Sequence, residues 1–409
     1  MENELEVTAR ITNITQSKGG LLVGVDRSPL RPAMGGQDED KGWIIKNDKK
    51  YSIEHVINKN GSTHLLIKNT NATLKVGDII LIKVDQERRK KLSIIHTVQH
   101  AFFKALTMIK EDIKFENVFL TVKDALPYGE LIVSSQSDLK FDILTKAELI
   151  TNDVIKRDLK VKVYWVNKSN LTKNIRVRDT LLMRVDKLRI VEIEGYDWSA
   201  CSGTHVERTG EIYFFKLVNF KKLKNKGRPR YKLIFIAGED ALKHALRLGN
   251  NLIEASQLFG FQPENLVGYL NNLKNEIQRL EVLKENLFSL LKEEIFRIIK
   301  SEINTILLIE GMNLKDQIRL VKDLRKKGFP NTIFGLMTKI NNEIFFTVFG
   351  SKDAVCRFLE VVRELEGQIW GKDIYQGRVP LDRYEQLKNR LIEVFGNDII
   401  RTMERKSKR

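Results

Sequence analysis

Hydrophobic and polar residues alternate along most of residues 3–90, which is the two-residue period of half-buried β-strands. Turn residues interrupt the alternation at Gly19–Gly20, Asn47–Asp48 and Asn60–Gly61. The alternating segments are ELEVTARITNI, GLLVGVDRS, KGWIIKNDKKYSIEHVINKNGSTHLLIKN and KVGDIILIKVD. Because these short strands follow one another with almost no helical period, the sequence predicts a small N-terminal β-barrel over residues 1–90.

The period changes to that of a helix from Gln86, where QERRKKLSIIHTVQHAFFKALTMI spaces its apolar residues by three and four. This predicted helix carries His96 and His100, one turn apart on the same face. Predicted strands and a second helix alternate between residues 115 and 195, including strands at KVKVYWVN and TLLMRV. Residues 91–250 are therefore expected to form an α+β domain.

Leucine and isoleucine recur at steps of three and four after Pro263, the pattern of a long helix or coiled coil over residues 251–300. Residues 301–409 alternate strands and helices and are predicted to form a separate C-terminal α/β domain. The predicted fold class is thus α+β, in four parts: barrel, α+β domain, helical arm and C-terminal α/β domain.

The chain of 409 residues has 70 Lys and Arg against 53 Asp and Glu, a net charge of +17. This excess favours a polyanionic partner, and we expect nucleic acid, with an anionic membrane surface or a merely lysine-rich composition as alternatives. No apolar run is long enough for a transmembrane helix, and the N-terminus does not have the pattern of a signal peptide. Two Cys cannot form a disulfide framework, so a cytoplasmic location is expected.

Basic residues concentrate between residues 216 and 232, around a flexible tip at Gly227–Pro229. A hairpin with this charge is predicted to bind nucleic-acid phosphates, and the alternative is an ordinary solvated loop. The candidate phosphate-binding residues are Lys221, Lys222, Lys224, Lys226, Arg228 and Arg230.

Four of the eight His and Cys residues stand in two close-spaced pairs, His96 with His100 and Cys201 with His205. A glycine, Gly203, lies between the second two and lets both side chains point the same way. One thiolate and three imidazoles form a donor set typical of zinc. The sequence therefore predicts a metal site of these four residues, against the alternative of an inert buried Cys with incidental His.

These segments resemble the editing domain of alanyl-tRNA synthetase and its free-standing relatives, the alanyl-tRNA editing hydrolases. The resemblance covers about residues 5–250 and rests on the order of three motifs, GGQ before GWIIK, the HTVQH helix and CSGTHVERTG. Residues 301–409 resemble the C-terminal domain of the long-form editing proteins, with a thinned glycine-rich stretch at GQIWGKDIYQGRVP.

The resemblance implies one zinc ion per chain, bound by His96, His100, Cys201 and His205, and hydrolysis of the ester that joins Ser or Gly to alanine tRNA. Catalytic roles are expected for Gln37 and Thr204. Contact with the substrate is expected for Gly35, Gly36 and Gly203. Four protein ligands would fill a tetrahedral zinc ion, so either one ligand is displaced or the ion mainly positions the terminal adenosine and the amino acid, and we favour the second role.

Serine is expected to be the better substrate, because a buried polar group selects strongly for a hydroxyl whereas a methyl group contributes only about 1 kcal/mol. Since the first strand begins by residue 5, we expect an editor acting in trans, without an aminoacylation domain. Two alternatives remain: a non-catalytic tRNA-binding protein with a structural zinc, and the same fold acting on another aminoacyl-tRNA. A homodimer through the helical arm or the C-terminal domain is also possible, and no membrane association is expected.

Overall fold

The computed structural model describes residues 4–17, 19–59, 61–68, 72–171, 175–177, 186–224, 227–300, 304–326, 333–397 and 399–403. The chain divides into two compact units, Met1–Gly260 and Phe261–Arg409. Lys226 and the predicted strand at residues 180–185 lie outside the described residues.

The first unit begins with a closed six-stranded antiparallel barrel. Its strand order is β1-β2-β5-β4-β3-β6, and β6 pairs back with β1, so no strand edge is left open. The alternating apolar side chains noted in the sequence fill its interior, with Val23, Ile44 and Leu65 fully buried. The strands are β1 (Glu6–Ser17), β2 (Gly20–Val25), β3 (Gly42–Lys46), β4 (Lys49–Lys59), β5 (Ser62–Ile67) and β6 (Ile79–Val84).

Helix α1 (Gln86–Ile109) follows the barrel directly and forms the centre of the first unit. Asp85 caps its first turn by accepting a hydrogen bond from the backbone of Arg88. Nearly every side chain from Leu92 to Leu106 is buried, the two histidines included. The ring of Phe102 packs 4.7 Å, centroid to centroid, from that of Phe215. His96 and His100 therefore lie inside the unit, not on a solvated helix face.

Two sheets and two further helices complete the first unit. A four-stranded sheet of order β12-β13-β8-β7 packs on α1, and a three-stranded sheet has the order β11-β10-β9. The elements are β7 (Lys114–Lys123), β8 (Leu126–Ser134), α2 (Phe141–Lys156), β9 (Val161–Asn167), β10 (Lys187–Ile193), β11 (Asp197–Ala200), β12 (Phe215–Leu223), β13 (Arg230–Ala237) and α3 (Glu239–Phe259).

The second unit opens with a 35-residue helix, α4 (Leu266–Lys300), at the place where the heptad-like pattern predicts one. A mixed six-stranded sheet of order β17-β18-β16-β15-β14-β19 follows, with apolar clusters on both faces. Its elements are β14 (Thr305–Ile309), α5 (Leu314–Arg325), β15 (Ile333–Ile340), β16 (Glu343–Gly350), α6 (Lys352–Glu364), β17 (Gln368–Trp370), β18 (Tyr375–Pro380), α7 (Tyr384–Phe395) and β19 (Ile400–Met403).

The structure confirms a mixed α+β fold with a six-stranded barrel and several helices. The four-part division of the chain and the homodimer stay predictions. Within the described residues, no helix combines the length and the apolarity that a membrane crossing requires.

The connection between β2 and β3, residues 26–41, is fastened to the start of α1 by two consecutive ion pairs. Arg88 donates to the carboxylate of Asp38 at 2.6 Å. Arg89 pairs with the buried carboxylate of Asp40 and also donates to the carbonyl of Pro29 at 2.6 Å. We name residues 26–41 the clasp loop, because these pairs hold it against the helix.

Replacing Arg89 by Met should destabilise the first unit by about 3–5 kcal/mol, since the carboxylate of Asp40 would stay buried without its cation. The matched control is Lys83→Met, which removes a cation from an exposed pair with Glu6, N–O distance 3.6 Å, and should change the free energy of unfolding by less than about 1 kcal/mol. Urea denaturation of both variants measures the difference. Equal effects would mean that the clasp-loop pair contributes no more than a surface contact.

Candidate metal centre

Four side chains from two distant segments converge at one point of the first unit. The ligand atoms of His96, His100, Cys201 and His205 all lie within 4.8 Å of one another. The thiol sulfur of Cys201 lies 3.1 Å from Nε2 of His96 and 3.4 Å from Nε2 of His205. The structure thus brings together the four residues that the sequence predicts as metal ligands, and this group can hold a metal ion.

Local backbone geometry sets the position of each pair. His96 and His100 are one helical turn apart on α1, whereas Cys201 directly follows β11. Gly203 lets the loop approach the helix, because a Cβ atom there would lie only 2.1 Å from the His96 ring. No other residue type fits at this position without moving the histidine.

Each of the three imidazoles is oriented by a hydrogen bond at its Nδ1 atom. His96 Nδ1 lies 2.6 Å from Oε1 of Gln37, and His205 Nδ1 lies 3.1 Å from Oγ1 of Thr97. The Thr97 hydroxyl donates to the carbonyl of Ser93, so it accepts from His205. Such partners hold the proton on Nδ1 and leave the lone pair of Nε2 for a metal.

His100 is supported by a buried charge. Its Nδ1 lies 2.6 Å from the hydroxyl of Ser199 and 3.5 Å from a carboxylate oxygen of Asp197. Arg176 donates to both oxygens of Asp197, at 3.0 and 2.5 Å. Burial would raise the pKa of Asp197, but Arg176 and His100 outweigh it and lower the pKa to about 2. The carboxylate therefore stays ionised and stabilises positive charge at His100, whose pKa is raised despite its own burial.

The cluster favours a thiolate beside a neutral imidazole. Burial opposes ionisation of Cys201, yet the charges and hydrogen bonds of the three histidines hold the pKa of its thiol well below the usual value. Burial, together with the neighbouring charge of His96, lowers the pKa of His205 to about 3. Thiolate and neutral imidazole are the forms that coordinate zinc-type metals.

Gln37 reaches the cluster from the clasp loop. Gly35 and Gly36 have positive φ values of 64° and 93° and form the tight turn that precedes it, and a Cβ on Gly36 would lie 2.3 Å from the Val118 carbonyl. Besides His96, the side-chain oxygen of Gln37 accepts a 3.0 Å hydrogen bond from the backbone of Thr204. Its amide nitrogen donates to the Thr204 hydroxyl, also at 3.0 Å. These contacts support a metal ligand, and catalytic roles for Gln37 and Thr204 stay predictions.

The basic hairpin is formed by β12 and β13, but part of its charge is already paired. Lys222 forms an ion pair with Asp138 at 2.6 Å, and Arg230 forms one with Glu116 at 2.5 Å. Lys221, Lys224 and Arg228 are exposed at or near the tip. Asp138 and Glu116, the partners in these ion pairs, lie in other segments than His96, His100, Cys201 and His205, so the pairs do not connect the hairpin to the candidate metal centre. Phosphate binding by this hairpin stays a prediction.

Sequence reasoning missed the residues that support the ligands. Asp197 and Ser199 stand four and two residues before Cys201, and this strand spacing puts all three on one face, a signal that was present in the sequence. Thr97 follows His96 directly. Arg176 has no such signal, because it reaches Asp197 only through pairing of its backbone with β11.

Two family models match parts of the chain. "Threonyl and Alanyl tRNA synthetase second additional domain" matches residues 188–230, which include Cys201 and His205. "tRNA synthetases class II (A)" matches residues 3–88, which include the barrel.

Relatives match over longer ranges. The alanyl-tRNA editing protein AlaX-L of Pyrococcus horikoshii is 27% identical over 383 residues, 91% of this chain and 92% of that protein. An alanine–tRNA ligase of Saccharolobus islandicus is 26% identical over 76% of this chain, and the match spans only 34% of the ligase. The C-Ala domain of Aquifex aeolicus alanyl-tRNA synthetase, at 18% identity, covers 24% of this chain and 96% of that chain with a TM-score of 0.20, too low to carry an argument. The similarity to alanyl-tRNA editing proteins is thereby confirmed.

Replacing Gly203 by Ala should lower metal affinity by at least ~10-fold, because the new methyl group displaces the His96 ring. Gly249→Ala is the matched control, since Gly249 lies in α3 with open space around it. Equilibrium dialysis against zinc, with the bound metal measured, compares the two variants. Unchanged zinc affinity in Gly203→Ala would show that the close approach is unimportant.

The charge of Asp197 should make stability depend on pH. Its folded-state pKa of about 2 lies below the ordinary value of 3.8, so its contribution is present above about pH 4 and is lost as the pH falls through about 2. In metal-free protein, Asp197→Asn should therefore cost on the order of 2 kcal/mol at pH 6 and progressively less on acidification. Urea unfolding at several pH values measures this. A cost that does not change with pH would indicate lost packing and not lost charge.

Proposed function

We propose that this chain is an aminoacyl-tRNA hydrolase that removes serine, and less efficiently glycine, from mischarged alanine tRNA, using one zinc ion bound by His96, His100, Cys201 and His205. The observation that carries the proposal is the convergence of one cysteine and three histidine side chains in a chain that is 27% identical to an alanyl-tRNA editing protein over 91% of its length. The +17 charge suits an RNA substrate.

The donor set fits zinc better than harder cations, which prefer oxygen ligands. His96 and His100 are buried, whereas Cys201 and His205 keep a small exposed fraction. We therefore propose that the substrate approaches from the side of the loop that follows β11. A purely internal structural cluster would not need such access.

The chain's own residues would hold and orient the reacting groups. Gln37, Thr97 and Ser199 fix the three imidazoles, so little reorganisation accompanies substrate binding. Zinc, when bound, would supply a Lewis acid that polarises an ester carbonyl or orients substrate oxygens. Because four protein ligands complete a tetrahedral set, we favour the orienting role for the terminal adenosine and the amino acid.

Serine is favoured over glycine and alanine by its hydroxyl. A pocket that hydrogen-bonds a substrate hydroxyl discriminates strongly against analogues without one, whereas a methyl group alone contributes about 1 kcal/mol. The loop from Cys201 to His205 contains the hydroxyls of Ser202 and Thr204, which are groups of the required kind. The Thr204 hydroxyl is paired with Gln37 and is thus held in a defined orientation.

A second candidate function is supported by the full ligand set itself. Structural zinc sites in proteins are usually closed by four protein ligands, and catalytic sites usually keep one position open. On this alternative the chain binds tRNA without cleaving it. Action of the same site on another aminoacyl-tRNA is a variant of the first proposal and differs only in substrate.

Deacylation of Ser-, Gly- and Ala-charged alanine tRNA, with and without a chelator, tests the proposal. Wild type should release serine fastest, and Cys201→Ala should lower the rate by at least ~100-fold because a metal ligand is lost. Cys356→Ala is the matched control, since Cys356 is exposed on α6 and far from the ligands in sequence.

Two outcomes would contradict the proposal. If wild type binds alanine tRNA tightly but deacylates no charged form of it, the structural-zinc alternative is correct. If Cys201→Ala retains full activity while its folding is unchanged, the metal site takes no part in the reaction.

A further inference from the structure

The three-stranded sheet that leads to Cys201 presents a tryptophan to solvent at its far edge. Its order is β11-β10-β9, so β9 is the outer strand. Trp165, near the middle of β9, is 64% exposed. Single exposed apolar side chains are common in proteins, so the charges and strand register around this ring decide whether it has a binding role.

Strand register connects this tryptophan to the metal centre. Trp165 lies directly opposite Arg189 on β10, so their side chains share a face of the sheet. The carbonyl of Arg189 accepts a hydrogen bond from the backbone of Cys201 at 3.0 Å, and its guanidinium donates to the carbonyl of Cys201 at 2.8 Å. Trp165, Arg189 and Cys201 thus form one row across three strands. With neighbouring strands about 4.8 Å apart, the two ends of the row are separated by about 10 Å.

Charge on this face matches a polyanion. Lys187 stands two residues before Arg189 and therefore on the same face, opposite Asn167. Glu192 falls on the other face, where it lies opposite Lys162. The one carboxylate on the near face of β11, Asp197, is buried and paired with Arg176. An exposed aromatic ring next to two cations is the combination that binds single-stranded nucleic acid by base stacking and phosphate contact.

We propose that Trp165 stacks on a nucleobase of the single-stranded 3′ end of the tRNA, with Lys187 and Arg189 contributing positive charge beside it. The inference rests on the proposed function, in which the aminoacyl ester lies at the metal centre. We assign the terminal or penultimate base to this ring, because Cys201 and Trp165 are separated by only about 10 Å. On this proposal the edge of β9 binds the acceptor end of the tRNA and not the body of the tRNA.

Direct binding to a CCA trinucleotide tests the stacking without any deacylation. The fluorescence of wild type should be quenched on titration, and the quench should be lost in Trp165→Phe, in which the other three of the four tryptophans remain. Trp165→Ala should weaken CCA binding by about 5- to 150-fold, and Trp165→Phe should recover most of the affinity because an aromatic face is restored. A quench that persists in Trp165→Phe would overturn the proposal.

Steady-state deacylation of Ser-charged alanine tRNA gives the second readout. Trp165→Ala should raise KM with little change in kcat, since stacking holds the substrate and takes no part in the chemistry. Trp370→Ala is the matched control, because Trp370 is 41% exposed on β17, an edge strand of the second unit. An unchanged KM in Trp165→Ala would contradict the stacking proposal and would leave the hydrolase proposal unaffected.

Two further outcomes separate the proposals. If wild type deacylates no charged tRNA but CCA quenches Trp165, the hydrolase proposal fails and the binding role of Trp165 is supported. If CCA produces no quench and sedimentation shows that Trp165→Ala changes the oligomeric state, the ring is a protein contact and the inference is wrong.

Discussion

The side-chain amide of Gln37 joins the barrel to the candidate metal centre. Through it a loop of the barrel touches both segments that carry the ligands, the helix at His96 and the loop at Thr204. The amide is not positioned by its own turn alone. Arg88 and Arg89 hold Asp38 and Asp40, which follow Gln37 in the same loop, against the start of the same helix. A small set of charges near the barrel thus determines the orientation of an imidazole at the centre of the unit.

Much of the fold could be predicted because its signals are local. Alternation in the first 90 residues, the helical period after Gln86 and the heptad-like spacing after Pro263 each depend on neighbours in sequence, and each corresponds to an observed element. The pairing of β9 with β10, and the order of strands in each sheet, depend on contacts between distant segments. No period in the sequence encodes those contacts.

The residues of the candidate site likewise divide into those that could be predicted from local sequence and those that depend on contacts between distant segments. His96, His100, Cys201 and His205 could be found because their residue types and spacings are rare in this chain. Their supports could not all be found, because Thr and Ser are common and their role arises only when the segments meet. Arg176 is the clearest case, since it reaches Asp197 through backbone pairing with β11. The sequence predicts a glycine at position 203 because the loop turns there. In the structure the closest contact that excludes a larger residue is the ring of His96.

The long separation between the two halves of the centre has a consequence for synthesis of the chain. His96 and Cys201 are 105 residues apart, and Gln37 and Thr204 are 167 apart. During translation the barrel and the helix leave the ribosome well before the second pair of ligands exists, and the sheet that covers the helix ends only at Ala237. Until then the apolar surface of the helix is exposed, the state in which a nascent chain is prone to aggregate. Assembly of the candidate metal centre is therefore a late event in biogenesis, coupled to closure of a non-local loop.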